Sequence, residues 1–134
     1  MKPTVPTYCG NSPKMQLIAD FNLAFAAGDI QKVLSYVHDD IQWEMLGDQI
    51  ITGHEAIAAF IKEHANLQVV SWEVEDILSH GRLGSARGTV QLDKQTIYFA
   101  DFYTFTSTAA NAKIKKIKTL AISKTLQKGI LPGF

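Results

Sequence analysis

The chain has a single cysteine, Cys9, so an internal disulfide is ruled out and nothing calls for an oxidising compartment. Net charge is also missing, because 13 Lys and Arg offset 13 Asp and Glu. Without a global field, neither nucleic acid nor an anionic membrane is an expected partner. No apolar run is long enough to span a bilayer, and residues 1–12 lack the apolar core of a signal peptide. There is no internal repeat, low-complexity tract or linker. His38, His54, His64 and His80 show no metal-ligand spacing, and Cys9 has no positioned base that would make it a nucleophile. Together these absences predict a soluble, cytoplasmic protein without metal or other cofactor and without a nucleic-acid or membrane partner.

What is present is an ordinary globular balance, 46% apolar and 19% charged over 134 residues, which suits one domain with one core. Residues 1–12, with Pro3, Pro6 and Gly10, read as a flexible arm. Residues 13–125 read as the single domain, and 126–134 as a tail ending in Ile130-Leu131-Pro132-Gly133-Phe134.

Helices come first. Ser12-Pro13 is an N-cap followed by proline in the first turn, and Leu17, Ile18, Phe21, Ala24 and Phe25 recur at helical spacing. Gly28 suits the end of that helix, and Asp29 caps a shorter one carrying Ile30, Val33, Leu34 and Val37. Ile41 to Met45 alternates as a strand, and Gln49 to Ile51 forms a brief second one. Thr52 and Glu55 have the spacing of a capping box for a third helix reaching about Asn66, with Ile57, Phe60, Ile61 and His64 as its buried stripe.

Long strands follow. Val69 to Ser79 alternates, with Val70, Trp72, Val74, Asp76 and Leu78 on one face. Ser85 to Leu92 is small and glycine-containing, and Asp93-Lys94-Gln95 turns into the strand Thr96 to Thr106. Ile114 to Lys124 closes the set, with a bulge near Lys115-Lys116 to repair its phase. Helices first and a meander afterwards predict an α+β fold, with three helices packed on a strongly curved, mainly antiparallel sheet shaped as a cone. The open end of such a cone is a natural ligand pocket.

The strand Thr96 to Thr106 carries the most chemical information. Ile97, Phe99, Asp101, Tyr103 and Phe105 share one face, apolar but for the carboxylate at its centre. A buried carboxylate is costly, so its pKa is expected to rise, leaving a neutral carboxyl able to donate to a ligand carbonyl. The structural alternative is pairing with Arg82, Arg87 or a water. The opposite face, Tyr98, Ala100, Phe102, Thr104 and Thr106, is also largely apolar and predicts packing against a second subunit, hence a homodimer. The six lysines from Lys113 to Lys128 read as the solvated side of the last hairpin rather than as a polyanion strip.

Phe25-Ala26-Ala27-Gly28-Asp29 at the helix break and Tyr36-Val37-His38-Asp39-Asp40-Ile41-Gln42-Trp43 entering the first strand form a familiar combination. With Gly53-His54-Glu55-Ala56-Ile57 and Asp101-Phe102-Tyr103-Thr104-Phe105, the chain resembles the NTF2-like (cystatin-like) superfamily, in its SnoaL-like and ketosteroid isomerase-like branch, over roughly residues 14–124. That resemblance implies a cone fold and an apolar pocket. In ketosteroid isomerases a first-strand carboxylate is the base, and a tyrosine with a protonated aspartic acid forms the oxyanion hole. Glu44 falls on the base position and Asp101 on the aspartic acid, while Phe21 replaces the tyrosine. One such donor is worth about 3–4 kcal/mol of barrier. If Ile41, Trp43 and Met45 face the core, alternation sends Glu44 outward, and a one-residue shift puts Met45 at the base position.

The expected site therefore has Asp101 and Glu44 as catalytic groups, with Phe21, Phe25, Trp43, Met45, Phe60, Phe99 and Tyr103 against the ligand. The expected ligand is a small hydrophobic or carbonyl-bearing molecule, and the expected chemistry is metal-free proton transfer of the isomerase or cyclase kind. A non-catalytic binding or dimerising module is the alternative.

Overall fold

The computed structural model describes residues 1–125. The C-terminal tail and Lys128 lie outside the described residues. Helix α1 (Pro13–Ala27) starts as its sequence demands: the Ser12 hydroxyl accepts from the Met15 amide, and Gly28 ends it at φ 69°, a left-handed position that glycine reaches without a Cβ clash. Asp29 caps α2 (Ile30–Tyr36) by accepting from the Lys32 amide. Chain direction then changes at once into β1 (Val37–Met45), followed by β2 (Ile50–Thr52) and α3 (Gly53–Glu63). Four long strands complete the fold: β3 (Val69–His80), β4 (Leu83–Leu92), β5 (Gln95–Phe105) and β6 (Ile114–Thr125).

The strands form one sheet in the order β2-β1-β6-β5-β4-β3. All neighbours are antiparallel except β1 and β6, which run parallel. The three helices cover one face, and the core fills the space between: Ile18 and Phe21 of α1, Val33 of α2, Ile57 and Ile61 of α3, against Ile41, Ile77, Tyr103, Phe105 and Ile117 of the sheet. The α+β cone and its mainly antiparallel curved sheet are thus as the order of elements predicts. Lys115 is the extra residue in β6, since Thr104 pairs with Lys116 and Phe105 with Ile114.

Four local expectations are corrected. Strict alternation fails in β3, where the register shifts between Val69 and Ser71 and between Val74 and Asp76. Trp72, Val74 and Ile77 therefore turn inward, whereas Val70 and Leu78 are 63% and 65% exposed. Helix α3 stops at Glu63, and His64 caps it from an exposed position instead of extending the buried stripe. Thr52 begins α3 without a side-chain cap, so the capping box does not form. The N-terminal segment is docked rather than loose. Thr4 N donates to Trp72 O at 3.0 Å, Val74 N donates to Thr4 O at 2.9 Å, and Ile77 N donates to the Tyr8 hydroxyl at 3.0 Å. The arm thereby covers the edge that β3 would otherwise offer to another chain. Cys9, in a short 3-10 turn (Cys9–Asn11), is buried, and burial with the nearby Asp20 charge pushes its thiol pKa up.

Among the described residues the lysines do not form one strip. Lys113 Nζ donates to Ser35 O at 2.8 Å, and Lys116, Lys118 and Lys124 stand on the exposed face of β6. No described helix is long and apolar enough to cross a membrane.

The sheet is most crowded where glycine removes a side chain. A Cβ on Gly88 would run into the carbonyl of Glu73 and come within 2.8 Å of the Phe99 ring. Gly88 thus lets the β3 bulge and Phe99 occupy the same space. Gly88→Ala is expected to destabilise the fold by about 2–3 kcal/mol, read as a lower midpoint in urea unfolding, whereas Gly10→Ala, with nothing near its Cβ position, leaves it unchanged.

Candidate functional site

β5 places Asp101 on the concave face of the sheet, 5% exposed, directly opposite Ala86 on β4 and Thr119 on β6. The cross-strand position explains why Thr119 reaches it: the hydroxyl donates to Asp101 Oδ1 at 2.7 Å. Two residues along the same face, Tyr103 donates its hydroxyl proton to Asp101 Oδ2 at 2.9 Å.

The direction of these bonds is fixed by what stands behind each hydroxyl. Trp43 Nε1 donates to Thr119 Oγ1 at 2.8 Å, and an indole N–H can only donate. Asn22 Nδ2 donates to Ile18 O at 2.8 Å and to the Tyr103 hydroxyl at 3.1 Å. The Ile18 carbonyl can only accept, so it settles which end of the Asn22 amide faces it. Both hydroxyls receive a hydrogen bond from behind and pass their own proton forward. Two chains, Trp43 to Thr119 and Asn22 to Tyr103, therefore converge on Asp101 as an acceptor. A carboxylate has about four lone-pair sites, and the two chains use one on each oxygen.

Electrostatics follow from burial. Desolvation pushes the Asp101 pKa up from the ordinary 3.8 to about 6, against the pull of the Thr119 and Tyr103 bonds, which favour the charged form. Burial, and after it the Asp101 charge, push Tyr103 well above its ordinary value, so it stays a protonated donor. No cation pairs with Asp101 among the described residues. Arg87 is on the outer face, 2.6 Å from Asp76 and 2.5 Å from Glu75.

Asp101 and Thr119 look into a cavity of about 720 Å³ between the helices and the sheet. Phe21, Phe25, Trp43, Met45, Phe60 and Phe99 line it, with Trp72 and Ile97 beside them. Phe25 is the hub of the aromatic wall, 5.3 Å from Trp43, 5.9 Å from Trp72 and 6.2 Å from Phe60 between ring centres. Two expected residues are elsewhere. Tyr103 is 1% exposed and lies beneath Asp101, its hydroxyl already engaged on both sides, so it supports the carboxylate rather than the ligand. Glu44 does not line the cavity, because Trp43 and Met45 on either side of it turn inward. It pairs across the sheet with Ile50 and Lys118.

Asn22 and Thr119 are the residues the sequence reading misses. Asn22 had a visible signal, a lone amide one turn after Ile18 on the apolar stripe of α1. Thr119 had none until the bulge at Lys115 set the register of β6 against β5. Trp72 Nε1 is buried without a hydrogen-bond partner among the described residues.

A model of the SnoaL-like domain matches residues 18–116. Among solved structures, an NTF2-like protein of unknown function from Burkholderia xenovorans LB400 is similar with a TM-score of 0.71 at 18% identity, over 87% of this chain and 88% of that one. A protein designated a SnoaL-like polyketide cyclase, from Shewanella denitrificans OS-217, is similar at 0.68 and 17%, over 81% and 90%. A protein designated a ketosteroid isomerase, from Kribbella flavida DSM 17836, is similar at 0.68 and 13%, over 90% and 84%. Identities this low establish the fold alone. No curated protein matches the chain.

Two outcomes are expected from the donor chains. Thr119→Val orphans the Trp43 indole and removes one donor from the carboxylate, so the Asp101 pKa climbs beyond about 6 in a carboxyl carbon NMR titration, with a loss of about 1–3 kcal/mol in stability, while Thr119→Ser retains both bonds. Because the folded pKa of Asp101 lies above its unfolded value, the folded chain holds a proton that the unfolded chain has already lost between about pH 4 and about pH 6. The Asp101 contribution to stability therefore falls as pH rises through that window. Thermal melts of the wild type relative to Asp101→Asn should show that decline, and parallel curves would refute it.

Proposed function

The chain belongs to the SnoaL-like domain family, and from that premise we propose that it moves a proton on a small apolar, carbonyl-bearing molecule, with Asp101 as the base. The observation that carries this reading is a cavity-facing carboxylate held as an acceptor by two donor chains, with lone pairs to spare. A pKa of about 6 leaves it about nine-tenths ionised at neutral pH, close to the value at which a base is most effective. This reverses the neutral-donor role that the ketosteroid isomerase resemblance implies for the position.

The step is ordinary carbonyl chemistry. Asp101 takes a proton from a carbon next to the carbonyl, and the C–H electron pair moves through the carbon–carbon bond onto the carbonyl oxygen as an enolate. Return of the proton from Asp101 to a conjugated carbon gives an isomer. Attack of the enolate carbon on a second carbonyl in the same molecule forms the ring bond, and the alkoxide so made takes the proton back from Asp101. The proteins designated a cyclase and an isomerase share the fold in which this carboxylate sits, which supports either branch. Phe21 offers no hydroxyl to the developing oxyanion, and the Thr119 and Tyr103 protons are committed to Asp101. Trp72 Nε1 is itself buried, and Gln68 and His64 are the side-chain donors left, at the exposed side of the cavity. The scarcity of donors favours, as the second reading, a pocket that binds without turnover.

The outer face of the sheet supports a homodimer. Tyr98, Phe102, Leu120 and Ile122 lie together there, each between 47% and 62% exposed, an apolar patch that a monomer seldom leaves to water. Lys116 and Lys118 flank it on β6, while Glu75 and Asp76 flank it on β3. Glu75 and Asp76 are paired with Arg87 of the same chain, so the apolar patch itself carries the dimer proposal.

Hydrogen–deuterium exchange at the α-carbons of cyclic ketones, followed by NMR, tests the base. Asp101→Asn is expected to slow catalysed exchange by about 10²–10⁴-fold with ketone affinity nearly unchanged, and equal exchange by both proteins would leave the binding reading. Light scattering is expected to give a dimer for the wild type and a monomer for Phe102→Lys. A wild-type monomer at micromolar concentration would remove the dimer.

A further inference from the structure

We propose that the cavity sorts ligands by charge, admitting lipophilic molecules that are neutral or carry a protonated amine and refusing carboxylates, sulfonates and phosphates. The proposal rests on the ionised acceptor role given to Asp101 above and adds the charge class of the ligand.

Charge inventory is the first ground. Among the described residues, no lysine or arginine lines the cavity, and Asp101 is the one acid that does. His64 of α3 and Met1 stand at its exposed side. A carboxylate, sulfonate or phosphate carried inward past the Met1 α-amino group at the exposed side thus meets a like charge and no counter-charge beside Asp101, where the low dielectric magnifies repulsion.

The second ground is what Asp101 lacks. Its partners, Thr119 and Tyr103, are neutral donors, and no cation reaches it among the described residues. A buried anion without a counter-cation is unusual, because paired charges are the rule inside proteins. A ligand ammonium would supply the missing charge and use the lone pairs that the hydroxyls leave open. The third ground is the aromatic wall of Phe25, Trp43, Phe60 and Trp72, whose ring faces attract cations and repel anions.

Few groups can confuse a pH test of this proposal. The side chains of α1, β1, β4, β5 and β6 that surround Asp101 are Phe21, Asn22, Trp43, Ala86, Tyr103 and Thr119, of which Tyr103 alone titrates, far above neutrality. Farther out, His64 and Met1, which carries the α-amino group of the chain, stand at the exposed side of the cavity.

Three naphthalene probes of similar size test it: phenylnaphthylamine, which is neutral, anilinonaphthalene sulfonate, which adds one negative charge to the same skeleton, and naphthylethylenediamine, which carries a protonated amine. The chain has two tryptophans, and both line the cavity, so their quenching reports occupancy there. At about pH 8 the expected order of affinity is amine, neutral probe, sulfonate, with the sulfonate about tenfold or more below the neutral probe. At about pH 5, where Asp101 is mostly neutral, the order flattens, and Asp101→Asn is flat at both values. His64→Gln keeps the pH response. Loss of the response in that variant would make His64 the sensor and overturn the proposal. Equal binding of sulfonate and neutral probe at about pH 8 would overturn charge selection while leaving the cavity and its base intact. No quenching by any of the three would remove the cavity reading and the proposal with it. The wild-type pH series decides the matter even if Asp101→Asn fails to fold.

Discussion

A carboxyl group buried against an aromatic cavity is the constraint around which this molecule is built. Water solvates a carboxylate from every side, and burial removes that solvation at a cost of several kcal/mol unless donors replace it. Here the replacement is partial by design of position: one hydroxyl from the neighbouring strand and one from the same strand face. Each hydroxyl is oriented by a donor farther out, so the proton order is set by residues that never touch the carboxylate. The group stays an acceptor, keeps part of its affinity for protons, and faces an apolar space. Such a combination is expensive for stability and well suited to proton transfer.

Much of this was legible in the residues, and the limits have physical causes. Alternation along Thr96 to Thr106 puts Asp101 on an apolar face, and helical spacing in α1 puts Phe21 and Phe25 toward it. Local period is a property of one element, and one element suffices for those assignments. Partners contributed by other elements are harder. Thr119 stands opposite Asp101 only because β6 carries an extra residue at Lys115, and one residue of slip would have presented Lys118 or Leu120. The same sensitivity explains the error in β3, where two register shifts exchange the inner and outer sets, and the placing of Tyr103, whose phase was right but whose depth was not. Glu44 and Met45 show the converse: there strict alternation holds, and it sends the acid outward.

Fold and activity separate cleanly in this chain. Bulges, glycines and a covered edge shape the sheet of this chain. What is particular lies in a few positions on its inner surface: phenylalanine at residue 21, a threonine opposite the acid, an asparagine behind the tyrosine. A change in those residues alters the chemistry without altering the sheet.

The parallel pairing of β1 with β6 bears on how the chain reaches this state. Helices α1 to α3 with β1 and β2 form one group of neighbours in sequence, and β3 to β5 form a meander of their own. β6 alone lies between the two groups in the sheet, hydrogen-bonded to β1 on one side and β5 on the other. Its pairing with β1 closes long loops between the two groups, the slow kind of event in folding. Thr119 rides on that strand. During synthesis, then, Asp101 emerges from the ribosome before its cross-strand donor and its sheet neighbour exist, and until they do it has water to keep it charged. The carboxylate is buried only when the strand that holds its partner locks the two halves together.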